Sequence, residues 1–306
     1  MLHYAFYKYL LFAGFNVYLD KSTLISRRQN KEHETFRLDY FPLKEVKFAK
    51  EEDVREFIPK VMDIYLESLS KIIKTESALT IIKAILYKIF YKIKLKIRES
   101  RCWYEWEKNG KGKEFYRKYI TRNTRAYMVG RYQEYYYLQD MRPSIVEDFS
   151  FEQRMPESVI KFFYEIIGND SVSIHVRRGD YSGAEEFDIC TINYYRNAVQ
   201  RISELVENPI YYIFTDDLEY VMSNFYFLEK FSLIDNSALK DSDYFDLFLM
   251  VNCKHNIIPN STFSWWGAWL NKNPNKIIVC PEKWNGFDFI LTDDICPPEW
   301  KREKNN

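Results

Sequence analysis

The 306-residue sequence predicts an α/β protein built on mostly parallel sheets, and three observations carry that prediction. From residue 171 onward, short apolar runs (SVSIHV, YYIF, NII, KIIVC) alternate with longer stretches whose apolar residues recur every three or four positions. Strands that alternate with helices pack as a parallel sheet covered on both faces. Hydrophobic residues make up 46% of the chain, and its length suits two domains of ordinary size. Three of the predicted strands end in dense polar clusters, the place where open parallel sheets bind ligands.

Residues 2–12 carry apolar side chains at helical spacing, and Gly14 stops the pattern as a glycine past a helix end does. NVYLD (16–20) then reads as a short strand. A parallel layer ordinarily begins with a strand, so this opening predicts an N-terminal domain lacking its first strand. Residues 51–100 read as mostly helical. Within 77–100, Ile81, Ile82, Ile85, Ile89, Ile93 and Ile97 recur at helical spacing beside Lys83, Lys88, Lys92, Lys94, Lys96 and Arg98. That basic amphipathic helix suits peripheral contact with an anionic membrane surface, and equally a packed helix with a solvated lysine face.

Residues 101–150 are polar, aromatic and irregular, punctuated by Pro143. The domain boundary is expected at 150–170, giving an N-terminal domain of 1–160 with a helical insertion and a C-terminal domain of 161–306. In the latter, SVSIHV is a strand, and 191–206 a helix capped by Thr191 with Ile192, Tyr195, Val199, Ile202 and Val206 on one side. YYIF is a strand and 217–228 a poor helix. Residues 243–253 form a stronger helix with Phe245, Leu249 and Cys253 along one stripe. NII is a strand, SWWGAWLN a helix and KIIVC the final strand.

Lys+Arg and Asp+Glu both number 44, and this balance argues against a general nucleic-acid binder. The 25 Tyr and 23 Phe suit a sugar-binding cleft or simply an aromatic core. Five scattered cysteines without a C-x-x-C pair argue against a disulfide framework and a zinc site, and fit a reducing cytoplasm. No secretory signal opens the chain, and no apolar run reaches the roughly 18 residues of a membrane span.

The polar strand ends carry the chemistry. The first is His175-Val176-Arg177-Arg178-Gly179-Asp180. An arginine fork matches phosphate oxygens and stays charged, although either arginine could instead pair with a carboxylate such as Asp180. Alternation places His175 and Arg177 on one side and Arg178 on the other, so Arg177 is assigned to the ligand and Arg178 to the scaffold. The second, Thr215-Asp216-Asp217, offers carboxylates to a nucleoside; neighbouring aspartates diverge, which disfavours a two-carboxylate metal site. The third, Asn260-Ser261-Thr262-Phe263-Ser264, precedes a helix whose free N–H groups and hydroxyls suit a phosphate or plain capping. The chain contains neither G-x-x-x-x-G-K-[ST] nor G-x-G-x-x-G after a strand, which excludes a P-loop enzyme and a dinucleotide-fingerprint dehydrogenase.

Together, HVRRGDY, FTDDLEYV and NSTFSWWGAWL, with DLFLMVNCKHNII before the last, resemble the bacterial-type α-1,2-fucosyltransferase family, glycosyltransferase family 11. HYAFYKYLLFAGFNVYLD is similar to that family's first helix and second strand, and GRYQEYYYLQD more weakly to the segment before its domain boundary. The resemblance implies a GT-B-like fold of two Rossmann-like domains, the C-terminal one binding GDP-fucose. It implies metal-independent, inverting transfer of L-fucose to the 2-hydroxyl of a galactose-containing glycan, with no cofactor beyond the donor substrate. Arg177 would bind the β-phosphate, Ser261 to Ser264 would cradle the diphosphate, His175 and Asp246 would lie near the guanine, and Asp216 or Asp217 would meet the nucleoside. Asp180, Glu185 and Glu186 are candidates for the base.

The family's opening strand and G-G-x-G-N-Q loop would precede Met1. Their absence from the sequence leaves a non-catalytic GDP-sugar-binding protein, or a fucosyltransferase of different linkage, as the alternatives. Without an anchor, the expected location is cytoplasmic, with peripheral contact at the inner membrane face through 77–100.

Overall fold

The computed structural model describes residues 1–20, 37–43, 46–57, 103–105, 127–129, 132–287 and 291–306. The basic stretch 77–100 and Cys102 lie outside the described residues. The chain divides into two compact units, Met1–Leu38 with Leu43–Tyr132, and Asp39–Pro42 with Gln133–Asn306.

The first unit opens with α1 (Leu2–Phe12), which buries Tyr4, Ala5, Phe6, Tyr7 and Leu10. Phe6 stacks on Tyr132 at 4.2 Å. Gly14 takes φ +87°, the left-handed conformation that lets Gly14 and Phe15 donate back to Leu11 and Leu10 carbonyls. Among the described residues, the stretch read as strand NVYLD makes a single parallel bridge, between Leu19 and Phe48. Helix α2 (Glu51–Phe57) begins with Glu51, Glu52 and Asp53, charges that favour a helix N-terminus. Strands β1 (Trp103–Glu105) and β2 (Tyr127–Val129) pair in parallel.

In the second unit, residues expected to be irregular form two short helices, α3 (Tyr136–Gln139) and α4 (Arg142–Asp148). Pro143 opens α4, where a missing N–H costs nothing. Helix α5 (Glu157–Ile167) follows. Then come β3 (Ser171–Val176), α6 (Ile192–Ser203), β4 (Ile210–Thr215), α7 (Leu218–Asn224), β5 (Phe231–Ile234) and α8 (Ser242–Asn252). The chain ends through β6 (His255–Ile257), α9 (Thr262–Leu270), β7 (Ile278–Pro281), α10 (Thr292–Ile295) and β8 (Lys301–Glu303). KIIVC is therefore not the final strand, because Lys301–Glu303 adds a further parallel strand to its edge.

All six strands pair in parallel, in the order β5-β4-β3-β6-β7-β8. Numbered within the unit this is 3-2-1-4-5-6, the doubly wound Rossmann order, and the α/β class with a parallel sheet is thereby established. The order reverses between β3 and β6.

Side-chain alternation sends Val172, Ile174, Val176, Tyr211 and Ile213 to one face, against Tyr194, Tyr195, Ala198 and Ile202 of α6 and Val221 of α7. Tyr212, Phe214 and Ile234 pack on the other face with Val159 and Ile166 of α5 and Phe245 and Leu249 of α8. Helix α9 is buried from Ser264 to Leu270. A Cβ on Gly267 would stand 3.0 Å from Met250 Cβ, so glycine permits the close approach of α8 and α9. Thr191 occupies the N-cap of α6, but its hydroxyl donates to Asn305 O (3.1 Å) rather than to the helix.

A buried amide network joins these layers. Asn256 on β6 donates to Ser173 Oγ (2.7 Å) and Met250 O (2.9 Å), and accepts from Asn271 Nδ2 (2.8 Å). Asn256→Ala leaves several buried groups unpaired and should cost about 3 kcal/mol in urea unfolding; a loss under about 0.5 kcal/mol would show that the network is dispensable.

Candidate active site

In an open parallel sheet the crevice lies beyond the carboxyl ends of the strands where the order reverses. Here those ends belong to β3 and β6. Strand β3 runs into Arg177, Arg178, Gly179 and Asp180, and β6 runs through Pro259 into Asn260, Ser261 and α9. Two of the three sequence-predicted clusters thus flank the reversal point, and the third, at the end of neighbouring β4, adjoins the first.

Arg177 is held between two carboxylates. Its Nη1 lies 2.6 Å from Asp216 Oδ2 and its Nη2 lies 2.7 Å from Asp180 Oδ1. The Asp180 side chain is 69% exposed against 27% for Asp216, so Asp180 is the weakly held partner that an incoming anion can replace. Asp216 does more. Its Oδ1 accepts the backbone N–H groups of Arg178 (2.7 Å) and Gly179 (3.2 Å). A Cβ at residue 179 would meet Asp216 Oδ2 at 2.7 Å, so only glycine leaves the carboxylate where it stands. A nucleoside reaching Asp216 would have to share a carboxylate already engaged on both oxygens.

Arg178 turns to the opposite face. It pairs with Asp188 (2.7 Å), donates to Ser182 Oγ (2.9 Å) and lies 4.4 Å over the Tyr220 ring of α7. Asp217 serves as the N-cap of α7, accepting from Tyr220 N at 2.9 Å.

At β6, Asn260 is buried and ties the loops together. Its Nδ2 donates to Phe187 O (3.1 Å), and its carbonyl accepts from Tyr181 Oη (3.3 Å). Ser261 is the N-cap of α9 in extended conformation, and its side chain makes no capping bond. The first N–H groups of this nine-residue helix are therefore not satisfied by a serine cap, as an anion site requires. Ser264 is buried with its hydroxyl donating to Ser261 O (3.3 Å), turned back on its own helix, while Thr262 stays partly exposed.

His175 is 5% exposed, its ring 5.6 Å from that of Phe263, and its Nδ1 is buried without a partner. Burial pushes its pKa down to about 4; Asp216 opposes the shift and Arg177 adds to it. Asp246 on α8 accepts from Asn236 Nδ2 (2.7 Å), and burial raises its carboxyl to about 6, with Asp243 and Asp235 adding to the rise.

Sequence reasoning missed β5 and hence the polar turn at its carboxyl end, Asp235-Asn236-Ser237, in which Asp235 accepts from Ser237 N (3.0 Å). The signal was the short run FSLI, three of its four residues apolar, ending in Asp-Asn-Ser. Asp188 and Tyr220, the partners of Arg178, were also missed; no local pattern marks either. Among the described residues, no group of three or more His, Cys, Asp or Glu could hold a metal ion.

His175 sets a pH dependence. It is neutral in the fold, whereas the unfolded chain takes up its proton below about 6.5, so this stability is present above that pH and is lost as pH falls towards 4. A depression from 6.5 to about 4 corresponds to roughly 3 kcal/mol. Between pH 7 and 4, wild type should lose roughly that much unfolding free energy relative to His175→Gln; parallel pH curves for the two would contradict a buried neutral imidazole.

The model of glycosyl transferase family 11 matches residues 33–304. The chain is 37% identical over 139 residues to an α-1,2-colitosyltransferase of Escherichia coli, covering 44% of this chain and 47% of that protein. It is 39% identical over 119 residues to the O-antigen biosynthesis glycosyltransferase WbnK of Escherichia coli, covering 38% and 39%. It is 24% identical over 139 residues to the galactoside 2-α-L-fucosyltransferase Sec1 of Mus musculus, covering 42% and 38%. The matched stretches span about half or less of these curated relatives. With the family match running over most of its length, and with a doubly wound sheet that brings an arginine and a helix N-terminus to its reversal point, this chain belongs to glycosyl transferase family 11.

Proposed function

We propose that the chain moves L-fucose from GDP-fucose to the 2-hydroxyl of a galactose-type acceptor, with inversion and without a metal, in the building of surface glycans. The observation that carries this reading is the placement of Arg177 directly after β3 and of the α9 N-terminus shortly after β6, on the two sides of the reversal point, in a family 11 member. Those groups suit a diphosphate, and the α-1,2 or 2-α linkage named for two relatives supports the regiochemistry.

The bond from the anomeric carbon to the β-phosphate oxygen breaks, and negative charge grows on the departing GDP. Arg177, released from Asp180, and the α9 N–H groups stabilise that charge. Fixed positive groups at the leaving oxygen fulfil the role a metal ion would otherwise take. His175 and Asp246 face the nucleoside. The acceptor proton passes to a carboxylate of the loop after β3. Asp180 pairs with Arg177 at 2.7 Å, whereas Glu185 is exposed and makes no ion pair among the described residues, so this reading assigns the base to Glu185. We assign donor binding to the second compact unit, which takes in Gln133–Asn306 rather than beginning at the expected residue 161.

Within the described residues no helix is long and apolar enough to cross a membrane. Cys190, Cys253, Cys280 and Cys296 are free thiols, which supports a cytoplasmic site of action. Peripheral membrane contact through 77–100 completes the proposal. A second reading, a colitosyl donor, is favoured by the 37% identity to the colitosyltransferase.

The test is transfer by the purified chain to lactose from GDP-fucose, and from a colitosyl donor in parallel, with product linkage read by NMR. An α-1,2-fucoside supports the first reading, preference for the colitosyl donor the second, and absence of transfer and of GDP binding contradicts both. Arg177→Ala should lower kcat on the order of 10³-fold in a folded protein; near-normal turnover would refute its role. Glu185→Gln should reduce kcat more than Asp180→Asn, on the order of 10²-fold against less than tenfold, and the reverse order would return the base to Asp180.

A further inference from the structure

We propose that Asp188 is the positioning residue of the Arg177 anion site. The inference rests on the reading of Arg177 as the diphosphate ligand. The loop after β3 carries two adjacent guanidinium groups, and only one can serve the ligand without pulling the other out of place. Asp188 commits the second. Its Oδ1 pairs with Arg178 Nη1 at 2.7 Å, and its Oδ2 accepts the Gly183 N–H at 2.9 Å. One carboxylate thereby closes residues 178–188 into a ring, with Gly183 at φ +75° making the turn.

The ring is fastened on both sides. Tyr220 lies under Arg178, and Ser182 Oγ takes its other terminal nitrogen. Phe187 O and Glu186 O accept from Asn260 Nδ2 (3.1 Å) and Gly286 N (2.9 Å). Both terminal nitrogens of Arg178 are engaged, by Asp188 and Ser182, and its Nε is buried, so this guanidinium is committed to the scaffold. Without the Asp188 charge, the partly buried Arg178 guanidinium loses its counterion, and the backbone N–H of the same residue is held by Asp216 Oδ1 while Asp216 Oδ2 holds Arg177. Loss of Asp188 should therefore be felt at Arg177, one residue away, more than in the core.

The test compares full-length wild type, Asp188→Asn and Asp188→Glu by GDP titration calorimetry, GDP-fucose kinetics, amide exchange and thermal melting. For Asp188→Asn, GDP affinity should fall about tenfold with a matching rise in KM for GDP-fucose. Exchange over 178–183 should accelerate, while the melting temperature moves by no more than about 3 °C. Asp188→Glu should recover most of the affinity. Unchanged affinity and exchange, or an affinity loss that tracks a large fall in melting temperature and is not rescued by glutamate, overturns the proposal. If wild type binds no GDP, the nucleotide reading fails on its own. Exchange over 178–183 then decides the claim: unchanged rates in Asp188→Asn refute it and accelerated rates support it.

Discussion

The carboxylate of Asp216 is the constraint on which the site depends. It stands at the end of β4, gathers the backbone N–H groups of Arg178 and Gly179, and holds the Arg177 guanidinium. Those contacts fix where β3 releases its chain. They also bear on sequence: a Cβ at position 179 would stand 2.7 Å from Asp216 Oδ2, so a side chain there would require the carboxylate to shift. Asp216 is in turn placed by the register of β4 on β3, which sets Thr215 opposite Val176. The Arg177–Asp216 pair is thus positioned by the main-chain pairing of the residues directly before them.

The opposite wall owes its rigidity to burial. Helix α9 is enclosed from Ser264 to Leu270, with Trp265 stacked on Trp269 and its indole N–H donating to Ile295 O (2.9 Å). Arg142 lies against the Trp269 ring and donates to Trp269 O and Asn271 O. A helix fixed in this way presents its N-terminal N–H groups without having to be ordered on binding, which makes their electrostatic contribution available from the start. The glycine at 267 allows the approach to α8, and α8 carries Asp246. Core packing and site geometry are consequently one problem in this half of the chain.

The C-terminal fold was legible where a strand is buried on both faces. SVSIHV and YYIF declare themselves because every position but His175 carries an apolar, aromatic or small residue. Strand β8, KRE, carries no such pattern; its place comes from main-chain pairing to β7. Strand β5 has only Ile234 fully buried, and α5 leaves Ile160, Tyr164 and Ile167 exposed, which blurs its apolar stripe. At the site, the arginines and the serine-rich turn were legible because strand ends in parallel sheets are where polar residues collect. The division of labour among the aspartates was not. Asp216 and Asp217 look alike in sequence, yet one gathers a loop and the other caps a helix. Asp188 reaches Arg178 ten residues back through a turn that only the folded loop defines.

In the proposed function, binding energy for the donor resides in its second phosphate, held by Arg177 and the α9 N-terminus. Calorimetric titration of the full-length protein with GDP and with GMP, at one salt concentration, addresses this directly. GDP bound about 10²-fold more tightly than GMP is the predicted result, one charge-assisted fork and a helix terminus being lost with the phosphate. Equal affinity for the two nucleotides would contradict it and move the binding energy to the guanosine.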